Sequence, residues 1–147
     1  ERAFDHSYVA GTMRVVSYNI HKGIGGRDRR YRLERIVSVL RDLEPDFVCL
    51  QEVDSNVSRS KHQHQPTLLA EALGLPFALY QLNVVVRTGG YGNLLLSRWP
   101  FVEEHQTSLT LRRCKPRAAQ WGIIETPQGL LRLTNFHLGL RDHERHW

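Results

Sequence analysis

Apolar and polar positions predict a strand, a helix and a second strand between residues 13 and 53. The strands are the Val- and Tyr-rich segment Met13–Ile20 and the apolar segment Asp46–Val53. Between them, apolar residues recur at the spacing of one helix face, before Pro45 ends the helix. These residues are Leu33, Ile36, Val37, Leu40 and Leu43. Such a unit predicts parallel neighbouring strands joined by a right-handed crossover.

After residue 53 the pattern predicts one short helix and then strands joined by turns. Pro66 opens the helix Thr67–Leu73, and Pro76–Val86 follows as a strand. The glycine-rich stretch 89–92 is interpreted as a hairpin turn that leads into the strand Asn93–Ser97. Three more strand-like segments follow without a helix between them, which favours antiparallel pairing within one mixed α/β domain. They are Phe101–Leu111, Ala118–Thr126 and Leu130–Leu138.

Composition narrows the class of protein without selecting a function. The chain has 147 residues, of which 41% are hydrophobic and 24% charged, as in an ordinary globular domain. A net charge of +5 favours anionic partners such as nucleic acid or phospholipid, although many proteins without such partners are mildly basic. The two distant cysteines give neither a disulfide framework nor a zinc spacing, so a reducing compartment is favoured.

No apolar run reaches the ~18–20 residues of a membrane span, so no transmembrane segment is predicted. The first residues also lack the pattern of a signal peptide. We therefore expect a cytoplasmic location, with a leader removed before residue 1 left open because the sequence does not begin with Met.

Four polar side chains end or interrupt apolar strands: Asn19, Glu52, Asn93 and His137. A carboxylate at the end of a buried strand is unfavourable unless it meets a metal, a base or water. Glu52 is placed like a ligand of Mg2+, which often takes only one or two carboxylates from a protein. Asn19 is suited to holding a metal-bound water or a phosphate oxygen. His137 is suited to donating to phosphate or acting as an acid or base.

Three of these positions also have a structural interpretation that the pattern leaves open. Glu52 is equally suited to capping a helix or pairing with an arginine, and Asn19 to satisfying its own turn. His137 fits a hydrogen-bonded histidine of the core. The arginine-rich loop at 27–35 and the basic segment 112–117 fit either a path for a polyanion or a solvated surface.

Other motifs are weaker or absent. The sequence has no Gly-x-Ser-x-Gly elbow and no P-loop. His62 and His64 lie in a polar loop without a third ligand nearby, so a metal site there is disfavoured. The charged segment Asp142–His146 is more typical of a solvated helix start than of a metal site.

Five stretches together resemble the endonuclease/exonuclease/phosphatase family, which includes DNase I-like nucleases, abasic-site endonucleases, sphingomyelinases and inositol-phosphate 5-phosphatases. They occur in the family's order from Met13 onward, and the LQEVD-type motif is the most specific. They are SYNIHKG around Asn19, PDFVCLQEVD around Glu52, GNLLLSRWPF around Asn93, KPRAAQ around Arg117 and TNFHLGL around His137. The resemblance implies the N-terminal part of a DNase I-like four-layer α/β/β/α sandwich, with the site where the two sheets join.

The resemblance also implies an activity, Mg2+-dependent hydrolysis of a phosphoester, with Mn2+ as a possible substitute. Glu52 would bind the metal, and Asn19 would act both as a metal ligand and in catalysis. His137 would be catalytic by contacting the scissile phosphate, and Asn93 and Arg117 would bind substrate. The substrate would be nucleic acid, or a phospholipid or other small phosphodiester.

The family's Gly-Asp-x-Asn segment does not occur in the sequence, and neither does the terminal Asp-His pair that follows that segment in the family. We therefore expect residues 13–147 to form the N-terminal portion of one such domain, after a lead-in of residues 1–12. Because the water-activating aspartate belongs to those motifs, we expect this chain alone to be inactive. Exposed sheet edges are expected to favour self-association.

The alternative is a non-catalytic module that keeps the fold and binds polyanions or phospholipid. Such a module would bind without Mg2+, and its affinity would fall steeply with salt.

Overall fold

The computed structural model describes residues 11–139, which form two β-sheets flanked on one side by two α-helices. The helices are α1 (Leu33–Asp42) and α2 (Gln65–Leu73), and short 3-10 turns span His21–Gly23 and Ser58–Ser60. The strands are β1 (Val15–Asn19), β2 (Phe47–Ser55), β3 (Phe77–Val86), β4 (Gly89–Ser97), β5 (Phe101–Ser108), β6 (Ala118–Thr126) and β7 (Gly129–His137). No helix within 11–139 is long and apolar enough to cross a membrane.

The first sheet has the strand order β1-β2-β4-β3, and the second has the order β5-β6-β7. β1 and β2 are parallel, as predicted, and the other pairs are antiparallel. Since β1 and β2 run in the same direction with Asn19 opposite Gln51, their C-terminal ends meet at one end of the sheet. This arrangement brings Asn19 next to Glu52.

Two apolar cores hold the layers together, and β2 contributes to both. Val48 and Leu50 pack in the core that includes the helices, whereas Phe47 and Cys49 pack between the two sheets. Burial raises the pKa of the Cys49 thiol to about 12, so this cysteine is an unreactive packing residue. The described residues therefore form helices, first sheet and second sheet in succession, which confirms the mixed α/β class.

The glycine-rich stretch 89–92 was interpreted as a turn, and this prediction was wrong. Gly89–Gly92 lie in β4, and the turn is formed by Arg87 and Thr88. A Cβ on Gly90 would lie 1.9 Å from the Val84 carbonyl oxygen, and one on Gly92 would lie 1.8 Å from that of Gln81. The glycines therefore permit close approach of β3 to β4.

Other boundaries differ by a few residues. β2 continues to Ser55, two residues beyond the predicted end, and β5 stops at Ser108 rather than Leu111. His64 caps α2, since its ring accepts the Thr67 backbone N–H at 3.3 Å, so this histidine has a structural role. The predicted helix start at Asp142–His146 lies outside the described residues.

Candidate active site where the two sheets meet

Glu52 lies in a β-bulge near the end of β2. Leu50 is opposite Leu94 and Val53 is opposite Gly92, so two residues of β2 face one residue of β4. The φ angle of Glu52 is 57°, in the left-handed region that side chains other than glycine rarely adopt. The bulge removes Glu52 from the regular alternation of the strand, which lets Leu50 and Val53 share one core.

Three side chains surround the Glu52 carboxylate. Asn19 Nδ2 donates to Oε1 at 3.3 Å, and Lys22 Nζ donates to Oε2. His137 Nε2 lies 3.9 Å from Oε1, and the Glu52 side chain is only 17% exposed. Burial raises the pKa of Glu52, but hydrogen bonds from Lys22 and Asn19 outweigh it, so the pKa is lowered overall. The carboxylate is therefore ionised at neutral pH.

The turn after β1 fixes both donors to Glu52. The His21 backbone N–H donates to Asn19 Oδ1 at 3.0 Å, which leaves the amide nitrogen of Asn19 for the carboxylate. His21 and Lys22 have φ angles of 47° and 62°, and these left-handed conformations reverse the chain within the turn. This reversal of the chain places the Lys22 side chain next to Glu52, near the C-terminal end of β2.

His137 and Arg117 form the part of the site that comes from the second sheet. Ala118 pairs with His137, so Arg117 lies beside the ring, with its Nη1 atom 3.4 Å from His137 Nδ1. Burial lowers the pKa of His137, and the charges of Arg117 and Lys22 lower it further against the opposing effect of Glu52. A guanidinium only donates, so Nδ1 accepts and the neutral ring carries its proton on Nε2.

Asn93 joins the sheets behind these residues. It is fully buried in β4, and its Nδ2 donates to the Ala118 carbonyl oxygen at 3.0 Å. Asn93 Oδ1 and Arg117 Nε are both buried without a hydrogen-bond partner among residues 11–139. Because buried polar atoms are normally paired, these two atoms indicate that the site is built to meet a further polar group.

A buried amide network holds the second sheet against the first. Gln51 Nε2 donates to Asn135 Oδ1 at 2.8 Å, and Asn135 Nδ2 lies 3.0 Å from Gln120 Oε1. Asn135 Nδ2 also lies 3.0 Å from a β2 carbonyl oxygen and 3.1 Å from one in β4. Since His137 follows Asn135 by two residues on the same strand face, the network positions the histidine.

Sequence reasoning missed this network and missed Lys22. The network could have been found from Gln51, Gln120 and Asn135, which are polar at positions where strand alternation calls for inward apolar residues. Lys22 lies in the same SYNIHKG stretch as Asn19, which was the available indication. Its Nζ also lies 4.8 Å from the centroid of the Tyr91 ring.

Of the predicted site residues, Asn19, Glu52, His137 and Arg117 lie together, with Asn93 directly behind them. These residues fit a hard divalent cation, because the ionised Glu52 carboxylate already binds one cation, the Lys22 ammonium. Residues 11–139 contain no group of three or more His, Cys, Asp or Glu side chains that could bind a metal. Glu52 would thus be the sole described carboxylate on an ion that keeps several waters.

Comparison with known proteins points in the same direction. A profile of the Endonuclease/Exonuclease/phosphatase family matches residues 16–126. The uncharacterized protein YbhP of Escherichia coli K12 is 29% identical over 143 residues, which cover 91% of this chain and 56% of YbhP. The chain thus spans little more than half the length of the curated relatives that it matches.

Solved structures share the fold over most of the chain. An endonuclease/exonuclease/phosphatase from Beutenbergia cavernae superposes with a TM-score of 0.76 at 25% identity, over 88% of this chain and 39% of its own. TDP2 from Caenorhabditis elegans superposes with a TM-score of 0.61 at 21% identity, over 90% of this chain and 37% of its own. ANGEL2, a 2',3'-cyclic phosphatase, superposes with a TM-score of 0.61 at 15% identity, over 86% of this chain and 41% of its own. The last two show the fold alone.

Proposed function

Because the chain belongs to the endonuclease/exonuclease/phosphatase family, we propose that it supplies one side of a Mg2+-dependent phosphoester hydrolase site. Members of the family generally hydrolyse phosphoesters such as those of nucleic acids, and commonly use divalent metals. The observation that carries the proposal is the ionised Glu52 carboxylate, held by Asn19 and facing His137 across the junction of the sheets.

Glu52 is the proposed metal ligand, and Asn19 is proposed to support the metal. When bound, Mg2+ would polarise a phosphoryl oxygen and stabilise the leaving group. The hydrogen bond from Asn19 Nδ2 to Oε1 orients the carboxylate before any ligand arrives. Its lowered pKa keeps Glu52 ionised without help from the metal.

His137, Arg117 and Asn93 are proposed to bind the phosphate. The neutral His137 ring presents its Nε2–H toward the Glu52 side of the site, where it can donate to a phosphate oxygen. Arg117 holds the ring through Nδ1 and has its buried Nε as a further donor. Asn93 Oδ1 is a buried acceptor suited to a water or hydroxyl at the reacting group.

The step that these residues do not provide is activation of the attacking water. No described carboxylate other than Glu52 contacts Asn19, Lys22 or His137. The Gly-Asp-x-Asn motif that would supply this group does not occur in the sequence. We therefore propose that the 147-residue chain is inactive or nearly inactive by itself.

Hydrolysis of a generic phosphodiester tests the function. The 147-residue chain and the complete product of its gene are assayed with Mg2+ and with chelator. The complete protein should turn over only with Mg2+, and Glu52→Gln should reduce its rate at least ~100-fold, since a metal ligand is lost. Glu104→Gln, an exposed carboxylate in β5, is the matched control. Robust metal-dependent turnover by the short chain would contradict the missing-base argument.

Substrate class is tested in the same assay with DNA, RNA and phospholipid headgroup substrates. The net charge of +5 suits all three, because each presents anionic phosphate. The preferred substrate is the one with the highest kcat/KM after the kcat/KM of Glu52→Gln on the same substrate has been subtracted.

The second candidate function is binding without catalysis. Lys22 already neutralises Glu52, so the metal-free site has surplus positive charge from Arg117. A binding module predicts polyanion affinity that persists in chelator and falls steeply with salt. Hydrolysis by the complete protein would exclude this candidate.

A further inference from the structure

The Lys22 ammonium occupies the position on Glu52 where a cation ligand would bind. Nζ donates to Oε2, and both side chains are mostly buried, at 16% and 17% exposed. The other carboxylate oxygen, Oε1, faces Asn19 and His137. A cation approaching Glu52 through Oε2 must therefore displace Lys22.

We propose that Lys22 is a built-in counter-ion of Glu52 that competes with the divalent metal and so sets the metal affinity of the site. The inference deepens the proposed function and rests on it. The ammonium stabilises the ionised carboxylate when no metal is bound, and the metal must offset the loss of this ion pair. Lys22 thus weakens metal binding while neutralising the Glu52 charge in the metal-free site.

The nearby Arg59–Asp54 ion pair is fixed, in contrast to the Lys22–Glu52 pair. Arg59 donates two hydrogen bonds to Asp54, from Nε to Oδ2 at 2.9 Å and from Nη2 to Oδ1 at 2.7 Å. The Asp54 side chain is fully buried, so this fork is a permanent structural bond. Lys22 instead makes a single bond from a compact ammonium on a flexible stem, which is suited to leaving.

The structure also provides a resting place for the displaced ammonium. Lys22 Nζ lies 4.8 Å from the centroid of the Tyr91 ring, whose electron-rich face attracts cations. Arg59 also lies 5.3 Å from this ring, so its positive charge opposes a closer approach of the ammonium. Lys22 can therefore release Oε2 while remaining over Tyr91.

The test is calorimetric titration of Mn2+ into the complete protein and into three variants. Lys22→Met removes the charge at similar length and should lower the Mn2+ dissociation constant about fivefold, because the competing ammonium is lost. Lys22→Arg keeps the charge and should bind no more tightly than wild type. Lys61→Met is the matched control, because Lys61 also has a left-handed backbone, with φ 58°, and lies 6.0 Å from a tyrosine ring.

Thermal unfolding is the second measurement, and a cooperative transition shows that Lys22→Met is folded. Saturating Mn2+ should raise its Tm more than that of wild type, because tighter binding gives greater stabilisation. Unchanged or weaker Mn2+ binding by Lys22→Met, with normal binding by wild type, would overturn this inference alone. Absence of Mn2+ binding in every protein would overturn the proposed function and the inference together.

Discussion

Glu52 combines a left-handed backbone with a half-buried, ionised carboxylate, and both features come from the bulge in β2. A regular strand would direct this residue to one sheet face, where the apolar cores leave no place for a charge. The bulge instead places the carboxylate between Asn19 and Lys22. Local strain at such a position is typical of a functional site.

His137 gives the stability of the protein a dependence on pH. Its pKa is lowered from the usual 6.5 by burial and by Arg117, so the unfolded chain binds a proton there more readily than the folded chain. The stabilising contribution of the neutral ring is complete above pH 6.5 and is lost as pH falls below that value.

His137→Asn should remove this contribution. We expect the loss of unfolding free energy between about pH 7.5 and about pH 5.5 to be smaller in the variant than in wild type. Urea unfolding at the two pH values gives the comparison. Parallel losses in the two proteins would show that His137 does not titrate in this range.

At the scale of elements, the Asn135 network joins β7 to β2 and β4. Asn135→Ala should lower the free energy of unfolding by about 2–4 kcal/mol, because it leaves Gln51 and Gln120 buried without their partner. Thr134→Ala, on the exposed face of the same strand, is the control and should change stability by less than ~0.5 kcal/mol. A small effect at Asn135 would mean that packing alone holds the sheets together.

Gly92 tests the close approach of β3 and β4. Gly92→Ala would place a Cβ 1.8 Å from the Gln81 carbonyl oxygen, so the strands must separate next to the bulge that holds Glu52. We expect a loss of about 2 kcal/mol or more in urea unfolding. Gly26→Ala has no atom within 4 Å of its new Cβ and should be near neutral.

Elements with their own periodicity were predictable, whereas contacts between distant segments were not. The helix face of α1 and the alternation of β6 follow from neighbouring residues, and Ala118–Thr126 is the strand that was predicted. The bulge at Glu52 depends on pairing with β4, and the Lys22 contact spans 30 residues through a left-handed turn. Neither is encoded in a local pattern, so Lys22 was missed.

At the scale of the whole molecule, apolar side chains remain exposed on the second sheet. Leu130 is 71% exposed and Phe136 50%, and both lie in β7, which pairs only with β6 among residues 11–139. We expect concentration-dependent self-association of the 147-residue chain, because exposed apolar strands at a sheet edge pair readily.

Sedimentation tests this expectation. The double variant Leu130→Lys with Phe136→Lys should shift the chain toward monomer, since charge on an edge strand opposes pairing. Val39→Lys, which is exposed on helix α1 rather than at a sheet edge, is the control and should leave association unchanged. A monomeric wild-type chain at all concentrations would refute the prediction.

The central claim is that Glu52 is the metal ligand of a phosphoester hydrolase site, and direct Mn2+ titration tests it without requiring catalysis. Wild-type protein should bind one Mn2+ per chain, and Glu52→Gln should weaken that binding at least ~100-fold, because the neutral amide replaces the ionised carboxylate. Glu104→Gln should bind like wild type. Equal Mn2+ affinity in wild type and Glu52→Gln would contradict the account.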